Sequence, residues 1–338
     1  MKGKNAVLNK PPAYLLKSSL QKNHSNNIIM DKRILGLHHV TAISNNAKRN
    51  HDFYTNVLGL RMVKKTVNFD DPGTYHFYFG DEQGTPGTIM TFFPWEGIGR
   101  GTNGTGLATH TAFAVPEGSF GFWKERLGQQ GITTRESEIF GEKVLSFNDP
   151  DGMQLQLIEP AKGDNRKPWT TQDVKEEVAL KGFHAVTLTL HSADATANVL
   201  TDILGYSLSQ EEGNRYRFAT DAIDTANLID IIEAPTAPVG RNAAGTNHHI
   251  AFRVKNDDIL MEYREKVLSA GLHITPKINR DYFFSLYFRE PGGVLFELAT
   301  DNPGFTVDEP LDSLGRSLKL PGRYESMRNE IEAHLPQL

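Results

Sequence analysis

The stretch 36–43, GLHHVTAI, decides how this chain reads, because three later stretches repeat its shape: ATHTAFAV at 108–115, GFHAVTL at 182–188 and NHHIAFRV at 247–254. Each carries a histidine near its start, has the residue types of a half-buried strand, and leads into an amphipathic helical pattern. A unit that recurs at such spacing is an architecture rather than a coincidence of composition. Working outward, each helix is followed by further strand-like runs, so the repeating unit is a strand, a helix and three strands.

In the first unit the strand Leu37 to Ile43 precedes a helix over Ala47 to Val57 and runs at Arg61 to Phe69, Tyr75 to Gly80 and Gly87 to Phe93. The second has Thr109 to Val115, a helix over Ser119 to Gln129, and strands at Glu142 to Asn148 and Met153 to Glu159. The third runs from Phe183 to His191 through a helix at Ala193 to Ile203 to strands at Tyr206 to Glu211, Asn214 to Ala219 and Asn227 to Glu233. The fourth has His249 to Val254, a helix over Asp257 to Ala270, and strands at Tyr282 to Arg289 and Val294 to Ala299. These limits predict an extension at 1–33, a first lobe of two units at 34–165, a second lobe of two units at 180–302, and a tail at 303–338. The tail carries a short helix, with Met327, Ile331 and Leu335 at a spacing of four. The extension is expected to be helical at Ala13 to Gln21, and Met30 offers an alternative start.

Composition narrows the functional classes. The chain has 338 residues, a formal charge of -5 and no basic block with interleaved aromatics, which argues against a nucleic-acid partner. No run approaches the roughly 18 apolar residues of a membrane span, and the N-terminus lacks the apolar core of a secretory signal. A cytoplasmic protein acting on a small molecule is the expectation. With no cysteine, a metal site must be built from nitrogen and oxygen donors.

The repeats differ where chemistry would sit. FNDPDGMQLQLIEP (147–160) aligns with FREPGGVLFELAT (288–300), and in that register Glu297 stands where the second unit has Gln156. Strand alternation puts His39 on one face with Thr41, His249 with Ala251, and Glu297 with Leu295 and Ala299. Two imidazoles and a carboxylate make a possible facial triad, which suits Fe(II) or Mn(II) and leaves coordination positions open; zinc and nickel accept the same donors. An ionised Glu297 inside VLFELAT needs a partner. His110 and His184 read as hydrogen-bonded core residues. DPDG (149–152) and EPGG (290–293) read as tight turns, and WEGIGRGTNGTG (95–106) as a link rather than a phosphate loop.

The pattern LHHVT, HHIAF and GGVLFE, together with FYTNVLGLRMVKKTVNFDDPGTYHFYFGDEQGTPGTIMTFFPW in unit one, resembles the vicinal-oxygen-chelate superfamily (glyoxalase, bleomycin resistance and extradiol dioxygenase proteins), over about 34–300. Within it, the chain resembles the ring-cleaving dioxygenases that act on hydroquinones. The resemblance implies an α+β fold of four βαβββ modules in two pseudo-symmetric lobes whose sheets curl around cavities. It implies His39, His249 and Glu297 as metal ligands, joining units one and four, with His38, His248, Arg280 and Tyr287 near the substrate. His38 and His248 have the opposite strand parity and need a local irregularity to reach it. The implied cofactor is Fe(II), with Mn(II) the alternative, O2 is the cosubstrate, and a homodimer is expected. The competing readings are a metal-dependent glyoxalase-like isomerase or lyase, which usually has four protein ligands, and a small-molecule binding or resistance protein.

Overall fold

The computed structural model describes residues 32–338; the expected helix at Ala13 to Gln21 and the start at Met30 lie outside the described residues. Module one contains β1 (Leu37–Ser44), α1 (Ala47–Asp52), β2 (Arg61–Asn68), β3 (Asp71–Gly80) and β4 (Ile89–Pro94). Module two contains β5 (Leu107–Ala114), α2 (Phe120–Gln129), β6 (Arg135–Ile139), β7 (Glu142–Asn148) and β8 (Gln154–Ile158). Module three contains β9 (Gly182–Leu190), α3 (Asp194–Asn198), β10 (Ser207–Glu212), β11 (Arg215–Ala219) and β12 (Leu228–Glu233). Module four contains β13 (Thr246–Val254), α4 (Asp257–Ser269), β14 (Ile278–Asn279), β15 (Phe283–Arg289) and β16 (Leu295–Pro303), and α5 (Arg328–His334) lies in the tail. Among the described residues no helix is long and apolar enough to cross a membrane.

The modules pair across the chain rather than along it. One eight-stranded sheet has the order β14-β15-β16-β13-β1-β4-β3-β2 and the other β10-β11-β12-β9-β5-β8-β7-β6. The expected lobes of consecutive modules, 34–165 and 180–302, are therefore corrected: modules one and four share a sheet, and modules two and three share the other. The linkers supply the reason. Thr102 and Arg241 exchange both backbone hydrogen bonds (3.0 and 2.9 Å), and Gly240 and Thr105 are bonded at 2.9 Å, so the two links zip together and fold the chain back on itself. Gly104 is needed in this zipper because a Cβ there would lie 2.2 Å from the Pro238 carbonyl oxygen.

Both sheets curl. In the second, Glu142 on β7 reaches Arg217 on β11 at 2.6 Å although four strands separate them in sheet order. In the first, Arg280 beyond β14 comes within 3.5 Å of Asp70 beyond β2. The helices cover the other faces and build the main core, where Val40, Ala42, Phe77 and Phe92 pack with Tyr54, Trp123, Leu200 and Tyr263. Two strands escaped the sequence pattern for physical reasons: β6 is solvent-exposed along most of its length and so does not alternate, and β14 is only two residues long. The helix expected over Ala47 to Val57 is α-helical to Asp52 and then widens into a π-helical turn over Phe53–Val57; module three does the same over Val199–Ile203. In the tail, Ile331 and Leu335 pack with Val67 and Leu320 as the spacing predicts, whereas Met327 stays exposed.

The two acidic turns tie the sheets together. Asp149 accepts from the amides of Asp151 and Met153 (2.9 and 2.8 Å) and from the Tyr54 hydroxyl of module one (3.2 Å). Glu290 accepts from the amides of Gly292 and Val294 (both 2.7 Å) and from the Thr196 hydroxyl of module three (2.6 Å). Each turn thus anchors a helix that belongs to the other sheet. Replacing Glu290 by Ala strands these buried donors and is expected to cost about 3 kcal/mol, each orphaned donor being worth about 1–3; urea unfolding of E290A against wild type measures it.

Candidate metal centre and cavity

Three adjacent strands, β16, β13 and β1, carry the candidate ligands. His39 pairs with Ala251, Ala251 pairs with Glu297, and His249 lies two residues from Ala251 on the same face of β13. The register brings their tips together: His39 Nε2 and His249 Nε2 lie 3.1 and 2.9 Å from Glu297 Oε2, and all three residues are buried. Among the described residues this is the one group of three such side chains with a converging donor atom each, all within 4.8 Å. Burial alone would push the Glu297 carboxyl up, but the facing imidazoles, His39 foremost, hold it well below the usual carboxylate range. Its Oε1 accepts from the Ser285 hydroxyl, while Oε2 has no hydrogen-bond donor of good geometry. Two imidazole nitrogens and a carboxylate oxygen converging in this way form a donor set that fits a divalent cation.

The doubled histidines are explained by bulges. His38 is the extra residue opposite Phe252 and Ala251, and His248 the extra residue opposite Thr41 and Ala42. A bulge re-aims side chains, which lets neighbours of opposite parity meet. His38 Nδ1 lies 2.9 Å from His39 Nδ1, and His248 Nδ1 lies 2.8 Å from His249 Nδ1. Hydrogen-bond partners assign the tautomers. As a metal ligand an imidazole would offer its Nε2 lone pair, so its Nδ1–H would donate to the neighbouring ring; His38 would then carry Nε2–H, facing the Thr300 carbonyl at 3.1 Å. Burial first, and then the adjacent ring, lowers both outer histidines to about 3, so they stay neutral.

This arrangement separates the expected substrate-side residues. His248, Arg280 and Tyr287 line a cavity of about 280 Å³ beside the three ligands. His38 does not line it: the bulge turns its ring behind His39 and onto the Thr300 carbonyl, a correction to its expected place near substrate. Arg280 Nε donates to the Tyr287 hydroxyl at 3.2 Å. Burial works against the guanidinium charge, but Tyr287, Glu297 and Asp70 outweigh it and hold Arg280 firmly protonated. Burial, followed by the Glu297 charge, raises the Tyr287 phenol well above its ordinary range. Sequence reasoning missed His76 and Tyr78 on β3 and the aromatic wall of Phe93 and Trp95. The alternation of TYHFYF placed His76 and Tyr78 on one face, which was the available signal, but nothing local said which face lines the cavity.

The second sheet repeats the backbone without the chemistry. There Ala112 pairs with Ala185 and with Gln156, and His110 lies two residues before Ala112. The positions of His39, His249 and Glu297 are therefore filled by Ala185, His110 and Gln156. The bulges persist, at Thr109 and His184. Glu297→Gln is accordingly expected to abolish stoichiometric Fe(II) or Mn(II) binding in equilibrium dialysis while leaving the circular dichroism spectrum unchanged. His38→Ala is expected to weaken metal affinity about 10- to 100-fold, the usual effect of losing a group that orients a ligand, as read by chelator competition.

Comparison with known proteins agrees with this architecture. Residues 36–157 and 182–298 match the Glyoxalase/Bleomycin resistance protein/Dioxygenase superfamily. The chain is 44% identical over 308 residues to "Putative ring-cleaving dioxygenase MhqO" of Bacillus subtilis (strain 168), covering 90% of this chain and 97% of that protein. It is 34% identical over 309 residues to the chlorohydroquinone/hydroquinone 1,2-dioxygenase of Sphingobium indicum (strain UT26S), covering 89% and 96%. The crystal structure of a "putative dioxygenase" from Bacillus subtilis superposes with a TM-score of 0.88 at 43% identity, covering 91% of this chain and 98% of that one. With the repeat, the curled sheets and these matches together, the chain belongs to the glyoxalase/bleomycin resistance/dioxygenase superfamily.

Proposed function

We propose that the protein is a ring-cleaving dioxygenase that inserts O2 into a hydroquinone-type aromatic diol, with catechols as the second substrate class. Fe(II), or Mn(II) in its place, is the ion held by His39, His249 and Glu297. The observation that carries the reading is the convergence of three nitrogen and oxygen donors on one wall of a small, aromatic-lined cavity. Three protein ligands leave positions for substrate and O2, whereas the isomerase alternative usually has four. The cavity's 280 Å³ lies just below the roughly 300–1,000 Å³ of ligand pockets, a size suited to one substituted ring rather than a thiol conjugate. The hydroquinone activity named for the Sphingobium relative supports the substrate class. A mere binding protein would have no use for a buried carboxylate that faces two imidazoles.

Held by His39, His249 and Glu297, a metal would bind the diol and O2 and pass electrons between them. The chain's own groups do the rest. Phe93 and Trp95 flank the ring and exclude water. Arg280 is a fixed cation for oxyanion character on the substrate, and it holds the Tyr287 hydroxyl in position as a donor. His248, neutral and bonded through Nδ1 to His249, presents Nε2–H at the cavity wall, where it can donate a hydrogen bond to a substrate oxygen as charge develops there. His38 acts only through His39, by fixing its tautomer. The reading retains a cytoplasmic, homodimeric protein, the dimer being open to test by light scattering.

The decisive experiment measures O2 uptake by anaerobically Fe(II)-reconstituted protein with hydroquinone, methylhydroquinone and catechol, alongside ultraviolet spectra of the product. Stoichiometric uptake with a ring-opened chromophore is expected; metal binding without O2 uptake on any diol would overturn the reading in favour of the isomerase. R280A is expected to retain metal and to lose kcat/KM by about 10²- to 10³-fold, the range for removing one preorganised oxyanion partner.

A further inference from the structure

We propose that Thr41 is a substrate-binding donor whose hydroxyl is aimed into the cavity by a hydrogen-bonded chain running from Tyr78 through His76 and Thr91, with His76 as the positioning residue. The proposal rests on the diol dioxygenase reading for its substrate and on geometry for its direction. The Tyr78 hydroxyl lies 2.9 Å from His76 Nδ1, His76 Nε2 lies 3.1 Å from Thr91 Oγ1, and Thr91 Oγ1 lies 2.8 Å from Thr41 Oγ1. His76, Tyr78 and Thr41 all line the cavity, and Thr41 is two residues from His39 on the same strand face.

The chain can run in either of two polarities, because Tyr78 and Thr41 both line the cavity, and the one proposed ends at Thr41, beside His39. Tyr78 is buried, and among the described residues its hydroxyl has no partner but His76. Had His76 carried Nδ1–H, the chain would run the other way and leave the Tyr78 hydroxyl, not that of Thr41, to donate into the cavity. In the polarity proposed Tyr78 donates to Nδ1, which leaves the neutral ring with Nε2–H. That hydrogen goes to Thr91 Oγ1, so the Thr91 hydroxyl donates onward to Thr41. Among the described residues the Thr41 hydroxyl has no hydrogen-bond partner other than Thr91, so in this polarity its own O–H is left for the cavity. A neutral, buried, directed hydroxyl next to the ligand face recognises an acceptor, and the acceptor this site would hold is a deprotonated oxygen of the diol. The His76 ring is itself held between Tyr78 and Phe93, at centroid distances of 4.1 and 4.4 Å, which fixes its orientation.

Two measurements test this. Long-range proton–nitrogen spectra of the protein labelled at histidine nitrogen read the tautomer without any substrate: protonation at Nε2 of His76 is expected, and protonation at Nδ1 would overturn the polarity. Steady-state O2 uptake and anaerobic calorimetry with hydroquinone then compare T41V, T91V, H76L, H76Q and the H76L/T41V double variant, all checked for full metal content. T41V, T91V and H76L should each weaken hydroquinone binding about 10- to 100-fold, the weight of one hydrogen bond to a charged group. The double variant should lose no more than either single one, because both break the same chain. H76Q should recover most of the loss, since its amide can accept from Tyr78 and donate to Thr91. Additive losses, or a Thr91→Val variant that binds like wild type, would overturn the proposal. Should wild type consume no O2 with any diol, the dioxygenase reading falls and takes Thr41's substrate role with it, while the nitrogen spectra still decide the direction of the chain.

Discussion

The antiparallel seam between β1 and β13 is the contact on which the rest of this molecule depends. It joins the first and last modules, sets Thr41 against His249 and His39 against Ala251, and carries both bulges. A slip of one residue in either strand would turn His39 or His249 into the helical core and bring an apolar neighbour to the cavity. The bulges guard against this by pinning the register, and they also set a second imidazole against each ligand ring. In a regular strand, neighbours point to opposite faces and could not meet ring to ring. The doubled histidine is thus a backbone device as well as a chemical one: the extra residue makes the bulge, and its side chain fixes the tautomer of the next.

The second sheet shows how a half-buried carboxylate is accommodated by the protein's own charges. Glu142 lies against Arg217 at 2.6 Å and His184 at 2.9 Å, and Arg217 is also bidentate to Asp230, with both distances 2.8 Å. The charges are matched within the protein, and removing one partner from such a network typically costs about 3–5 kcal/mol. In the first sheet Glu297 meets the Ser285 hydroxyl and two rings that are candidate donors to a cation. Two copies of one backbone therefore solve the same electrostatic problem in different ways, and Ala185 and Gln156 in place of His39 and Glu297 mark which copy is which. His184, read from the sequence as a hydrogen-bonded core histidine, is buried at a bulge and bonded to that network through Glu142.

The repeat and the face on which each candidate ligand lies were legible because strand alternation is local: a run such as HHIAFRV shows its two faces without any knowledge of its neighbours. Alignment of the module endings also exposed Glu297 against Gln156, and the strand registers place them at equivalent positions. Module pairing was not legible, because consecutive and crossed pairing bury the same faces and differ only in how the links at 95–106 and 234–245 meet. His76 stayed hidden for a related reason. Its strand is aromatic on both faces, so composition could not distinguish the side packed under the helices from the side that looks into the cavity. Arg280 and Tyr287 came from resemblance, since an arginine beside a left-handed Asp281 in a short hairpin has no local signature of function.

The cavity also depends on a segment that lies outside the module pattern. A curled sheet made of two modules is open at its end, and here the tail closes it. Phe305 stacks on Tyr282 and meets Tyr78 edge-on, at 5.1 and 5.2 Å. Lys64, wholly buried on β2, is held by Asp308 and Glu309 of the tail, both at 2.5 Å. A lysine is tolerated there only because two carboxylates come with the plug, so the docking is specific as well as apolar. Farther along, Arg323 and Tyr324 both donate to the carbonyl of Phe69, which lines the cavity. The tail thus reaches the cavity at two points, behind Tyr78 and at the β2–β3 hairpin, and the same Tyr78 heads the chain that ends at Thr41. Residues that read in the sequence as a packed terminal helix consequently help define the shape of a site whose ligands lie in the modules.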